Sequence, residues 1–132
     1  ILYLMNRKII ITASILGMLA VIAGAFGAHG LKPKLSPADL DVWHTAVQYQ
    51  FYHVFALLFL STFSRTRSRL VNVAFYLFTL GIFFFSGSLY LLSCSNLLGL
   101  TRSVWLGVLT PFGGLLFIAG WIALAMAAFR NR

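Results

Sequence analysis

The sequence predicts an all-α integral membrane protein: an antiparallel up-down bundle of four transmembrane helices with both termini cytoplasmic. Three observations predict it. Of 132 residues, 61% are apolar and only 9% are charged, whereas a soluble domain carries about a quarter charged residues. The apolar residues fall into four long runs with the charges gathered between them, and about 20 apolar residues let a helix cross the hydrocarbon. Lys and Arg are spread unequally over the connections, which orients the spans. This composition excludes a disordered chain, a nucleic-acid-binding module and an ordinary soluble domain. The net charge of +8 comes from residues flanking apolar segments, where they serve as topology signals and contacts for anionic lipid heads.

The whole chain, 1–132, reads as one four-span domain. Met5 could serve as a start, and residues 1–4 are left out of the fold reading. Arg7-Lys8 before an apolar run also resembles a signal peptide, but residues 9–28 exceed the ~7–15 residues of a signal core. They form the first span, which ends at the glycines around Gly30, a good C-terminal residue for a helix. Lys32, Pro33 and Lys34 mark the first link.

The second helix covers residues 37–63, with its membrane part starting near His44. Ser36 can cap it, Pro37 occupies the first helical position, and Asp39 falls where a carboxylate meets the positive end of the helix dipole. A basic turn with Arg65, Arg67 and Arg69 follows. The third span covers residues 70–92 and the fourth 104–129, the latter interrupted by Pro111, which should kink it. Seven basic residues (Arg7, Lys8, Arg65, Arg67, Arg69, Arg130, Arg132) then lie on one side and three (Lys32, Lys34, Arg102) on the other. The basic side is cytoplasmic, so the link between helices 1 and 2 faces the periplasm or outer surface.

Small residues recur every seven positions: Gly17 and Gly24, with Ala13 and Ala20, in helix 1; Ala74, Gly81 and Ser88 in helix 3; Gly113, Gly120 and Ala127 in helix 4. In lipid, helices associate by close packing, which small residues permit, and a seven-residue period keeps the seam on one face of left-handed crossings. Gly17, Gly24, Gly81, Gly113 and Gly120 are therefore the predicted packing residues. Phe83, Phe84 and Phe85 are expected to face lipid or a partner.

Helix 2 also carries the groups that could do chemistry, with His44, Thr45, Gln48, Tyr49, Gln50, Tyr52 and His53 in ten positions. His53 shares a face with Ala46, Tyr49 and Ala56, which should look inward near mid-depth. An ionisable residue at that depth is a candidate functional site, since imidazole can carry a proton or bind a metal. The plainer reading, a neutral ring hydrogen-bonded across the bundle, is favoured. Ser86, Ser88, Tyr90 and Thr110 are the available partners, with Ser86 and Ser88 preferred. The candidate buried polar site is thus His53, Tyr49, Gln50, Ser86 and Ser88.

Other chemistry finds little to use. His29, His44 and His53 are the only histidines, and His53 lies roughly 14 Å deeper than His44, so these two cannot share an ion. Cys94 is the single cysteine, and Asp39 and Asp41 are the only acids. No catalytic, cofactor or metal residues are assigned. The stretch Gly24–Gly30 lacks the strand and lysine of a phosphate loop.

Four segments together carry a resemblance: GAFGAHGLKPKL (Gly24–Leu35), TAVQYQFYHVFALL (Thr45–Leu58), FSGSLYLLS (Phe85–Ser93) and TPFGGLLFIAGW (Thr110–Trp121). The chain resembles the small bacterial inner-membrane proteins of domain-of-unknown-function family 423, also called uncharacterised protein family 0382, related to transmembrane protein 256 of animals. The resemblance spans nearly the whole chain and is weakest at residues 95–103. It implies a four-span inner-membrane protein and no activity, cofactor or site residues. The expectation is a non-enzymatic accessory or structural membrane protein, a homo-oligomer or a subunit of a larger complex. The alternative is a proton or small-solute channel or transporter acting as an oligomer. An enzyme of lipid or quinone chemistry is the third reading, with only the two acids and three histidines to work with.

Overall fold

The computed structural model describes residues 5–63, 68–101 and 104–130. Residues 1–4, set aside in the sequence reading, and Arg65, Arg67, Arg102 and Arg132, counted in it, lie outside the described residues. The described chain is helical and forms four rods. Rod α1 runs Arg7–Leu31, an α-helix over Arg7–Phe26 continued by a π-helical turn over Gly27–Leu31. Rod α2 is Pro37–Leu60, closed by a 3-10 turn over Ser61–Phe63. Rod α3, Arg69–Ser93, is α-helical except for a π-helical turn at Ile82–Ser86. Rod α4 is Val104–Arg130, with Pro111 inside it.

Three of these rods, α1, α3 and α4, are long and apolar enough to cross a membrane. Rod α2 is as long, but its His, Gln and Tyr residues dilute its apolar character. Its start matches the sequence signals: Ser36 Oγ accepts from the Asp39 backbone N–H at 3.1 Å, and Pro37 opens the helix.

Rod α1 departs from the reading at its end. It does not stop at glycine; the helix passes through Gly27 and Gly30 to Leu31. Gly99 is the only described residue with positive φ, so Gly30 terminates nothing. The glycines serve packing instead. A Cβ on Gly27 would lie 2.6 Å from the Trp43 indole, and one on Gly30 would lie 2.7 Å from the Phe26 ring.

Neighbouring rods run antiparallel, as their contacts show. Along α1 and α2, Gly24 faces Val47 and Gly17 faces Val54, while the Asn6 N–H donates to the Ser61 carbonyl. Between α2 and α3, Trp43 meets Tyr90, Tyr49 meets Phe85, and His53 meets Phe78. Between α3 and α4 the exchange is reciprocal. Phe117 of α4 lies over Gly81 of α3, while Phe78 and Phe85 of α3 lie over Gly120 and Gly113 of α4. Gly81 and Gly120 each make a hole that a ring from the facing rod fills, and Gly113 admits the Phe85 backbone, in the manner of knobs-into-holes packing.

The phenylalanine run therefore divides. Phe83 is exposed as expected, but Phe85 packs on the Gly113 backbone, inside the α3–α4 seam, and Phe84 meets Phe112 edge-on. The π-helical turn at Ile82–Ser86 lies on this run. An i→i+5 turn shifts the phase of the side chains after it, and a heptad count cannot anticipate that. The core collects Ile9, Ala13 and Leu16 of α1, Val54, Ala56, Leu57 and Leu60 of α2, Val71, Ala74, Phe75, Phe78 and Ile82 of α3, and Phe117, Ala123, Leu124 and Ala127 of α4.

Candidate functional site

Four of the polar side chains predicted to matter do lie inside, but they do not form one site. His53 is 4% exposed. Its Nδ1 lies 2.7 Å from the Tyr49 carbonyl, one helical turn back, and its Nε2 accepts from the indole N–H of Trp121 at 3.1 Å. A carbonyl only accepts and an indole N–H only donates. The geometry therefore selects one state of the ring: neutral, with the proton on Nδ1. The imidazole also stacks on Phe117, with centroids 3.5 Å apart and planes 5° from parallel.

The expected partners, Ser86 and Ser88, are used elsewhere. Ser86 Oγ donates to the Ala46 carbonyl of α2 at 2.8 Å. Ser88 Oγ meets Thr110 Oγ1 of α4 at 2.6 Å. Depth explains the correction. His53 is sixteen residues into α2, about 24 Å along the rod. Ser86 is only seven residues from the end of α3 at Ser93, about 10 Å. At the level of His53, α3 presents Phe78. Trp121, seventeen residues into α4, is about 26 Å along its own rod and stands level with the imidazole. Matching depths across rods is the signal that finds it.

Gln50, 4% exposed, turns to the opposite side of α2. Its Nε2 donates to the Leu16 carbonyl of α1 at 2.8 Å, and its Oε1 accepts from the Tyr90 hydroxyl of α3 at 2.7 Å. Trp43, which the sequence reading passed over, donates from Nε1 to the Ala23 carbonyl of α1 at 2.9 Å. Among the described residues no buried side-chain nitrogen or oxygen is left without a partner. Rod α2 is thus the tie of the molecule, bonded to α1 by Trp43 and Gln50, to α3 by Gln50 and Ala46, and to α4 by His53.

Tyr49 is the exception to the inward face. Ala46, His53 and Ala56 are buried, but Tyr49 is 38% exposed. It lines a groove of about 570 Å³ between α2 and α4, together with His53, Phe85, Pro111, Phe117 and Trp121. The groove is open to the outside of the rods, past Leu115 and Ile118, which are 64% and 58% exposed. His29 and His44 are both exposed. At the α2 start, Asp39 is buried and its Oδ2 is approached by Asn96 Nδ2 at 3.5 Å.

Comparison with known proteins places this architecture in a family. Residues 23–114 match the family described as "Protein of unknown function (DUF423)". The chain is 48% identical over 124 residues to a UPF0382 membrane protein of Staphylococcus haemolyticus, covering 94% of this chain and 97% of that one. It is 50% identical over 124 residues to a counterpart in Staphylococcus aureus, with the same coverage. Against the UPF0382 membrane protein YwdK of Bacillus subtilis it is 43% identical over 126 residues, with 94% and 98% covered. No solved structure matches the chain. The chain belongs to the DUF423, or UPF0382, family of membrane proteins.

Proposed function

We propose that this member of the family is a non-enzymatic, four-span accessory or structural protein of the bacterial inner membrane that works by packing against other transmembrane helices. In this reading α2 crosses the bilayer beside α1, its polar residues shielded by bonds to its neighbours, and the four rods form an up-down bundle with both termini in the cytoplasm. The seven-to-three division of basic residues sets that orientation.

The observation that carries the reading is how polarity is distributed. The buried polar groups of α2 are engaged in ties between rods. The outward faces are apolar, with Ile11, Ile15, Met18 and Ile22 on α1 and Val108, Leu115, Ile118 and Ile122 on α4 all about half exposed or more. Such a surface is suited to lipid and to partner helices. Conduction through His53 is less well supported, because both ring nitrogens already have protein partners and a proton relay needs a free one.

Native mass analysis after mild extraction tests the proposal. Co-purifying subunits, or copies of the chain, support it. A lone monomer that captures no other membrane protein on chemical cross-linking in intact membranes overturns it.

A further inference from the structure

We propose that the outward face of α2 is a seam for a second copy of this chain, related by a two-fold axis along the membrane normal, with Gln48 paired to Gln48 of that copy. The inference rests on the accessory reading above, in which α2 crosses the bilayer, and names the partner helix that this reading leaves open.

Periodicity comes first. The inner seam of α2 repeats every seven residues: Trp43, Ala46, Gln50, His53 and Leu57 are all buried. A second set with the same repeat runs two residues out of step with it: Asp41, His44, Gln48, Phe51, Phe55 and Leu58. Phe51 is half-buried and the others are exposed. A step of two residues turns a helix by about 200°, so the second set lies opposite the first, on the outside of the rods. Lipid has no register and demands no period of seven. Another helix in a left-handed crossing does.

Polarity then identifies that helix. The outward faces of α1 and α4 carry Ile, Met, Val and Leu, whereas the outer set of α2 opens with Asp, His and Gln. Counted from His44, where the membrane part begins, Gln48 is about 6 Å deep. Its carboxamide makes no hydrogen bond to any described residue, and a lipid tail offers it neither donor nor acceptor. A carboxamide is itself both. Copies inserted with the same orientation stand parallel and level, so a two-fold axis brings the two Gln48 side chains together, the nitrogen of each donating to the oxygen of the other. The same axis sets Asp41 of each copy against His44 of the other, one turn along, where a ring N–H donates to the carboxylate. Both contacts then occur twice, as an isologous interface requires. An unlike helix would need its own amide and its own imidazole at these two levels; an identical chain supplies both. A polar residue within a heptad seam fixes register and strand number, and Phe51, Phe55 and Leu58 supply the packing below it.

Cysteine scanning of the full chain in intact membranes tests the seam. In a Cys94→Ser background, residues 44 to 58 are replaced by cysteine one at a time, and a membrane-permeant oxidant is added. Disulfide-linked dimers are expected for His44→Cys, Gln48→Cys, Phe51→Cys and Phe55→Cys. None is expected for Val47→Cys and Val54→Cys, which face α1, or for Ile15→Cys and Ile122→Cys on the outward faces of α1 and α4. Separately, energy transfer between labelled copies in phospholipid vesicles measures self-association. Gln48→Leu keeps an apolar seam without the amide pair and should weaken self-association roughly three- to tenfold, the worth of two polar contacts between membrane helices. Cross-links without the seven-residue period, dimers joined through Ile15→Cys or Ile122→Cys, a chain that cross-links only to a different protein, or association indifferent to Gln48→Leu each overturn the seam and leave the accessory role standing. A chain that meets no other helix, its own or another protein's, overturns both.

Discussion

The indole N–H of Trp121 donates to Nε2 of His53 at 3.1 Å, joining the middle of α2 to the far half of α4. The two residues are 68 positions apart, and their rods share few backbone neighbours. The bond works with the stacking of His53 on Phe117 to hold α4 against a rod that otherwise faces it only across the groove.

The first prediction concerns the state of that ring. With a carbonyl at Nδ1 and a donor at Nε2, the neutral Nδ1–H tautomer satisfies both. Nitrogen-15 NMR of His53 at pH 7 should show a protonated Nδ1 and an unprotonated Nε2. The reverse tautomer, or a mixture, would mean that Trp121 is not the partner.

A double-mutant cycle gives the second. Trp121→Phe removes the donor and strands Nε2 in a buried site, which should cost about 1–3 kcal/mol. His53→Leu strands the indole N–H instead. The double variant should be more stable than the two separate losses would sum to, with a coupling near the ~0.6 kcal/mol typical of polar contacts between membrane helices. Unfolding in bicelles measures all three, and strict additivity would show that the contact contributes nothing.

The glycines should rank by what faces them. A Cβ on Gly113 would lie 2.8 Å from the Phe85 Cα, part of a backbone that cannot swing aside. Gly113→Ala should therefore destabilise most, by about 1–3 kcal/mol or more. On Gly81 and Gly120 the obstacle is a ring, Phe117 or Phe78, which can shift, so these should cost less. Gly17 is tighter than Gly24, at 3.3 Å against 3.7 Å from a valine methyl. Gly24→Ala should be neutral or gain up to ~1 kcal/mol from helix propensity. Thermal denaturation in detergent gives the order, and a Gly24 variant as harmful as the Gly113 one would contradict it.

Gln50 should matter more than Tyr90. Gln50→Leu loses a bond to α1 and a bond to α3 and leaves the Tyr90 hydroxyl without its acceptor, while Tyr90→Phe loses one bond. The first should cost roughly twice the second, at ~1 kcal/mol per bond. Equal losses would show that the bond to the Leu16 carbonyl carries no weight.

Topology is checked with reporter fusions. One follows Arg130 and one sits in the Lys32–Lys34 link. Opposite sides are expected from the basic residues; the same side for both would mean that one of α2, α3 and α4 does not cross the bilayer.

Several features were decided by the sequence alone. The apolar runs and the scarcity of charge assign the chain to lipid, because continuous apolar runs of this length cross a bilayer with their backbone paired as helices. Ser36, Pro37 and Asp39 mark the start of α2 through local geometry that involves no other rod. The seven-residue stripes name the inward faces of α3 and α4, since a face depends only on the period of one helix, and Gly81, Gly113 and Gly120 are all buried there.

The tertiary structure decided what depends on two helices at once. Which residues stand level with one another is set by the sliding of one rod along the next, and no single rod's pattern contains that quantity. It gave His53 to Trp121 and left Ser86 and Ser88 to Ala46 and Thr110. It also turned Phe85 into the α3–α4 seam at a π-helical turn that breaks the count. Tyr49 shares the face of His53 in sequence, yet at 38% exposure it sits at the edge of the groove because α4 stands back from α2 at that point. The inward face of α2 was legible from its own period; where that face ends is fixed by how closely its neighbours approach.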